Sequence, residues 1–105
     1  MAEEVKLMVE FEPMIGRYFT LDIGGDACRI YMEESGSGIP LLCLHTAGSD
    51  ARQFRHILAD TDITSRFRVI TFDLPWHGKS NPPKGFRERD YKLTVGGYKQ
   101  IINAV

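Results

Sequence analysis

The apolar run "RVITF" leads directly into "DLPWHGKSNPP", Asp73 to Pro83. Gly78-Lys79-Ser80 just past a strand is the ending of a phosphate-binding P-loop, in which unobstructed backbone amides wrap a phosphate. The first glycine of that motif would fall at position 73, where Asp73 instead sets a carboxylate at the mouth of the cradle. Trp76 adds bulk, and Asn81-Pro82-Pro83 stands where a helix should turn its amino end toward the phosphates. These residues speak against a nucleotide. His45, His56 and His77 are dispersed and have no paired carboxylates at ligand spacing, which makes a poor metal set. His56 falls on a charged helix face and is expected in solvent. Cys28 and Cys43 lie inside apolar stretches, without a CxxC or a histidine at zinc-finger spacing, and read as buried free thiols rather than a disulfide. Neither a metal nor a cofactor is expected.

The elements around these residues form one domain over 1–105, in two textures. Residues 5–34 predict antiparallel strands. "KLMVEFE" and "RYFTLDI" alternate or nearly alternate apolar and polar positions, and Gly24-Gly25-Asp26 offers a tight hairpin before "ACRIYMEE". Ser35-Gly36-Ser37-Gly38 follows as a flexible turn, too short for a linker. Residues 39–73 predict a βαβ unit with a right-handed crossover. "IPLLCLH" is continuously apolar, as suits a strand covered on both faces. Asp50 can cap a helix, Gln53 sits at capping-box spacing, and Phe54, Ile57 and Leu58 make one apolar stripe. "FRVITFD" supplies the second buried strand. A last helix over 94–105 carries Tyr98, Ile101, Ile102 and Val105 on one face, despite Gly96-Gly97 in its first turn.

Ligands of open α/β sheets bind beyond the carboxyl ends of the strands, which points to His45–Asp50 and Asp73–Ser80. Together, "PLLCLHTAGSDARQF" and "FRVITFDLPWHGKSNPP" resemble the amino-terminal part of the α/β-hydrolase superfamily, from Gly16 to the end of the chain. There an apolar strand ends in a His-Gly-type oxyanion loop and the next in Asp-x-x-Gly-x-Gly-x-Ser. The resemblance implies an α/β fold: antiparallel strands first, then a parallel βαβ unit and a carboxyl-terminal helix. It implies that His45 is the loop histidine and that Ala47 offers the backbone amide that donates to a substrate oxyanion. Such a donor needs a small side chain, and Gly48 lets the chain bend beside it. Asp73, Gly78 and Ser80 match the second motif, which shapes a sharp turn next to the site. Thr46 stands where glycine is common, and Trp76 replaces the first glycine of Gly-x-Gly. His45 reads as a structural residue bonded to the loop backbone, since no partner nucleophile accompanies it. Trp76 either contacts a ligand or covers the strand ends; His77 either lines the pocket or faces water.

The superfamily's nucleophile sits on a Gly-x-Ser-x-Gly elbow, followed later by its acid and histidine. No such elbow occurs in the sequence. The resemblance therefore implies an esterase-like acyl hydrolase of which the oxyanion side is present, truncated before the nucleophile, with no catalytic residue of its own. The alternative is a non-catalytic binding or assembly module on the same scaffold. A strand that pairs on both sides in the family would be left with an open edge, so self-association or a complementing polypeptide is expected. A small-molecule substrate is expected only of the completed site. Net charge of −1, with 13 basic residues interleaved among 14 acidic ones, gives no long-range attraction to nucleic acid or anionic membrane. The acidic start "MAEEVKLMVE" has no signal-peptide core, and the expectation is a cytoplasmic protein.

Overall fold

The computed structural model describes residues 9–46, 48–80 and 94–105. Strands β1 (Ile15–Ile23) and β2 (Asp26–Ser35) form a hairpin around Gly24-Gly25, in register from Ile15 opposite Glu34 to Ile23 opposite Asp26. β3 (Ile39–Cys43) follows. A 3-10 turn, Ala51–Phe54, then runs into helix α1 (Arg55–Ala59), and Asp60 caps a second short helix, α2 (Thr61–Thr64). β4 (Phe67–Phe72) and helix α3 (Val95–Ala104) complete the described elements. Of the expected strand over 6–12, residues 6–8 lie outside the described residues and 9–12 carry no strand. Alternation there has no neighbouring strand to pair with, and pairing rather than pattern makes a strand.

The sheet order is β1-β2-β4-β3. β4 enters between two earlier strands, antiparallel to β2 at Met32–Ser35 and parallel to β3 from Phe67 opposite Ile39 to Thr71 opposite Cys43. The βαβ reading therefore holds. "IPLLCLH" is not covered as expected: Ile39 is 67% and Leu44 41% exposed. Among the described residues β3 is an edge strand, so half its apolar run has nothing to pack against. The glycine-rich segment after β2 is also tied down: Ser37 N–H donates to the Thr64 carbonyl at 3.1 Å and Ile39 N–H to that of Arg66 at 3.2 Å.

Strand alternation splits the core between the two faces of the sheet. On one face Cys28, Ile30, Met32, Ile70, Phe72 and Leu74 pack against Ile101 of α3. Thr94 caps α3 by accepting from Gly97 N–H at 3.0 Å, and Tyr98 and Val105 flank Ile101 on the packed side. The other face holds Cys43 and Val69 against Leu58 of α1, with Phe54, Ile57 and Ile63 around them. Both cysteines are buried, and neither pairs in a disulfide among the described residues. Burial pushes the Cys43 thiol above its ordinary pKa. Among the described residues, no helix is long and apolar enough to cross a membrane.

Candidate active site

Each of the loops at the carboxyl ends of β3 and β4 is organised around one of its buried polar side chains. In the β4 loop it is Asp73, 3% exposed. Its Oδ1 accepts from Ala51 N–H at 2.6 Å and its Oδ2 from Lys79 N–H at 2.8 Å. Ser80 Oγ donates to the Asp73 carbonyl at 2.6 Å and accepts from Tyr31 N–H at 2.9 Å. A single carboxylate thus ties the start of the 3-10 turn to the β4 loop, and Ser80 ties that loop to β2. Charge-assisted bonds to backbone N–H groups are the strong kind. Gly78 has φ 49°, and a Cβ there would collide with the Asp73 carboxylate. Trp76 has φ 70°, the only non-glycine in the left-handed region among the described residues. A bulky side chain has replaced the glycine, yet the turn keeps a glycine's backbone.

In the β3 loop the buried group is His45, 6% exposed. Leu74 N–H donates to its Nε2 at 3.0 Å, which makes Nε2 an acceptor and puts the proton on Nδ1. Nδ1 in turn donates to the Thr46 carbonyl at 2.9 Å. The imidazole is therefore neutral and fully bonded to the backbone of both loops. The His77 ring lies against it at 5.0 Å between centroids, and His77 Nδ1 sits 2.9 Å from the Pro75 carbonyl. The Thr46 carbonyl also accepts from Ser49 N–H at 3.1 Å, closing a turn in which Gly48 has φ 75°.

Asp50 caps the 3-10 turn by accepting from Arg52 N–H at 2.9 Å. Its carboxylate also takes the Arg52 guanidinium at 2.8 Å, and these bonds hold its pKa down at about 2. Gln53 does not complete the expected capping box. Its Oε1 accepts instead from Thr46 N–H at 3.0 Å and Thr46 Oγ1 at 3.2 Å. A glutamine at that spacing can reach back to its own cap or across to the preceding loop, and a hydroxyl plus an amide outbids a single amide. His56 is exposed, as expected of a charged helix face. A cavity of about 430 Å³ opens beside the turn, lined by Gly48, Ser49, Gln53 and His56 among others.

The structure thus brings His45, Thr46, Gly48, Asp73, Trp76, His77, Gly78 and Ser80 to one end of the sheet. Ala47 lies outside the described residues, as do Asn81, Pro82 and Pro83. Among the described residues, no three His, Cys, Asp or Glu side chains gather as metal ligands would.

Solved structures share this fold. The Cif epoxide hydrolase from Acinetobacter nosocomialis superposes with a TM-score of 0.65 at 22% identity, over 97% of this chain and 30% of its own. The haloalkane dehalogenase DatA from Agrobacterium tumefaciens gives 0.56 at 22% identity, over 85% of this chain and 27% of its own. The chain has the amino-terminal part of the α/β-hydrolase fold. An N-acyl homoserine lactonase, AidH, matches at 38% identity and a TM-score of 0.53, over 65% of this chain and 24% of its own. No protein-family model and no curated protein matches the sequence. The chain spans 24% to 30% of the length of these α/β hydrolases. Gln53 is the site residue that sequence reasoning misplaced. The signal for it was Thr46, a hydroxyl at a glycine position with a polar partner one helical turn into the next element.

Proposed function

We propose that this chain supplies the oxyanion side of an esterase-like acyl hydrolase. The observation that carries the reading is the loop after β3, where the Thr46 carbonyl is bonded by both His45 and Ser49 beside the β4 loop; the expected donor, Ala47, lies outside the described residues. The likeness to a lactonase, an enzyme of a cyclic ester, supports acyl chemistry over the epoxide and carbon–halogen chemistries of the other neighbours. Nucleophile, acid and catalytic histidine come from outside these 105 residues, on a segment whose first strand pairs with the open edge of β3. Without that strand the edge pairs with a second copy.

The test assays p-nitrophenyl acetate, a terminal epoxide and a 1-haloalkane with this chain alone and with a unit extended through a Gly-x-Ser-x-Gly segment. Ester cleavage by the extended unit only is the expected result. An acyl burst from this chain alone overturns the placement of the nucleophile. Epoxide opening or halide release without ester cleavage overturns the acyl reading, and inactivity of the extended unit on all three favours a binding or assembly module.

A further inference from the structure

Alternation along β2 turns Ile30 and Met32 toward α3, and Tyr31 and Glu33 to the opposite face of the sheet. On that face a cavity of about 390 Å³ opens between β2, α1 and the β4 loop, a size that holds a small molecule. Tyr31 and Glu33 line its strand side, Arg55 and Leu58 its helix side, and Met14 and Lys79 its remaining walls. The Tyr31 ring lies against Gly16, where a Cβ would collide with the tyrosine hydroxyl, and the Lys79 ammonium stands over the ring at 4.8 Å. A side chain at position 16 would displace the ring from this wall.

The charges around the cavity fall into two groups. Arg52 is paired with Asp50 at 2.8 Å, and Asp73 gives both carboxylate oxygens to backbone N–H groups. The side chains of Glu33, Arg55 and Lys79 make no ion pair among the described residues. Glu33 sits close enough to Tyr31 that its charge, after burial, raises the pKa of the tyrosine hydroxyl, and Lys79 acts in the opposite direction. Across the sheet from Glu33 stands Thr71, fully buried, whose hydroxyl has no hydrogen-bond partner among the described residues; the carboxylate therefore takes no donor from it. Arg52, Arg55 and Lys79 against Glu33, Asp50 and Asp73 sum to zero formal charge, which favours neither a simple anion nor a simple cation. What the cavity keeps apart is an unpaired carboxylate on the strand side and unpaired cations on the helix and loop sides.

We propose that this cavity binds a small zwitterion with an apolar side chain, an α-amino acid of the leucine kind. Its ammonium goes to Glu33, its carboxylate to Arg55 and Lys79, and its side chain to Leu58, Met14 and the face of Tyr31. The guanidinium fork matches a carboxylate, and the flexible thioether of Met14 adapts to an apolar group. The proposal stands apart from the acyl-hydrolase reading.

The test follows the backbone amides of the 105-residue chain by NMR. L-leucine should shift the amides of Tyr31, Glu33 and Lys79 saturably, with a Kd of about 1 mM. L-leucinamide lacks the carboxylate and N-acetyl-L-leucine the ammonium, and each should bind about tenfold more weakly, because one charged partner is left without its mate. On the protein side, Arg55→Gln should remove most of the advantage of L-leucine over L-leucinamide, and Glu33→Gln most of its advantage over N-acetyl-L-leucine. Arg55 is exposed and Glu33 half-buried, and the amide spectrum reports whether each variant keeps the fold; the comparison of the three ligands on the unsubstituted chain decides the matter even where one does not. L-leucine without saturable shifts at these amides overturns the proposal. Equal binding of N-acetyl-L-leucine overturns it in favour of a simple carboxylate, and equal binding of L-leucinamide in favour of a simple cation.

Discussion

The loop after β4 and the loop after β3 lie side by side and are held by opposite means. In the first, a buried carboxylate gathers backbone N–H groups from two segments, Ala51 and Lys79, the first of these bonds fully out of water. In the second, a neutral imidazole and an exposed amide hold a turn that faces water. The charged, buried arrangement is strong and, once a partner is lost, expensive to leave unmade. The second loop relies in addition on an exposed glutamine, whose bonds to Thr46 add little stability. A firmly held and a more lightly held loop thus share one end of one sheet.

That contrast can be broken at its strong end first. Asp73→Asn keeps the volume but replaces one acceptor oxygen with an NH2 donor that faces a backbone N–H donor, leaving that N–H unmet. Urea unfolding should show a loss of about 3 kcal/mol. Next come the two glycines of positive φ. Gly78→Ala drives a Cβ into the Asp73 carboxylate and should cost about 2 kcal/mol, whereas Gly48→Ala meets nothing within 4 Å and should cost about 1 kcal/mol, from backbone strain alone. Equal losses at the two positions would erase the distinction between the loops. The effect of acid is smaller. Arg52 lowers the folded-state pKa of Asp50 from 3.8 to about 2, so the stability Asp50 contributes is present above pH 3.8 and is lost as pH falls through about 2. Wild type should lose its advantage over Asp50→Asn across that window, read as converging urea midpoints. Arg52 is largely exposed, which keeps this contribution modest and salt-sensitive. Smallest of all, Gln53→Leu should shift the unfolding midpoint by less than about 0.5 kcal/mol, although it alters the β3 loop.

The hairpin, the βαβ unit and helix α3 were legible because each is written locally: Gly24-Gly25 between alternating strands, an apolar stripe between two apolar runs, and Tyr98 through Val105 at helical spacing. Asp73 could be assigned to a sharp turn because, with Gly78 and Ser80, it matches the Asp-x-x-Gly-x-Gly-x-Ser pattern of the family that the sequence resembles. What could not be read was set by neighbours. The exposure of Ile39 and Leu44 depends on which strand lies beyond β3, and no pattern within "IPLLCLH" encodes that. Gln53 had two partners within reach, its own cap and Thr46, and only the path of the intervening turn decides between them. The tautomer of His45 follows from Leu74 N–H, a group with no side-chain signature.

The strand order has a consequence for how the chain is made. β4 inserts between β2 and β3, which never pair with each other. Until residues 67–72 have left the ribosome, β3 has no hydrogen-bonded neighbour and the hairpin stands by itself, a unit of marginal stability. Synthesis therefore completes three of the four described strands before the last, and the arrival of one six-residue strand sets both flanks into register at once. Nucleation of this sheet is a non-local event, slow relative to hairpin closure, and any pause in translation before Phe67 would prolong the interval in which an apolar β3 is unpaired.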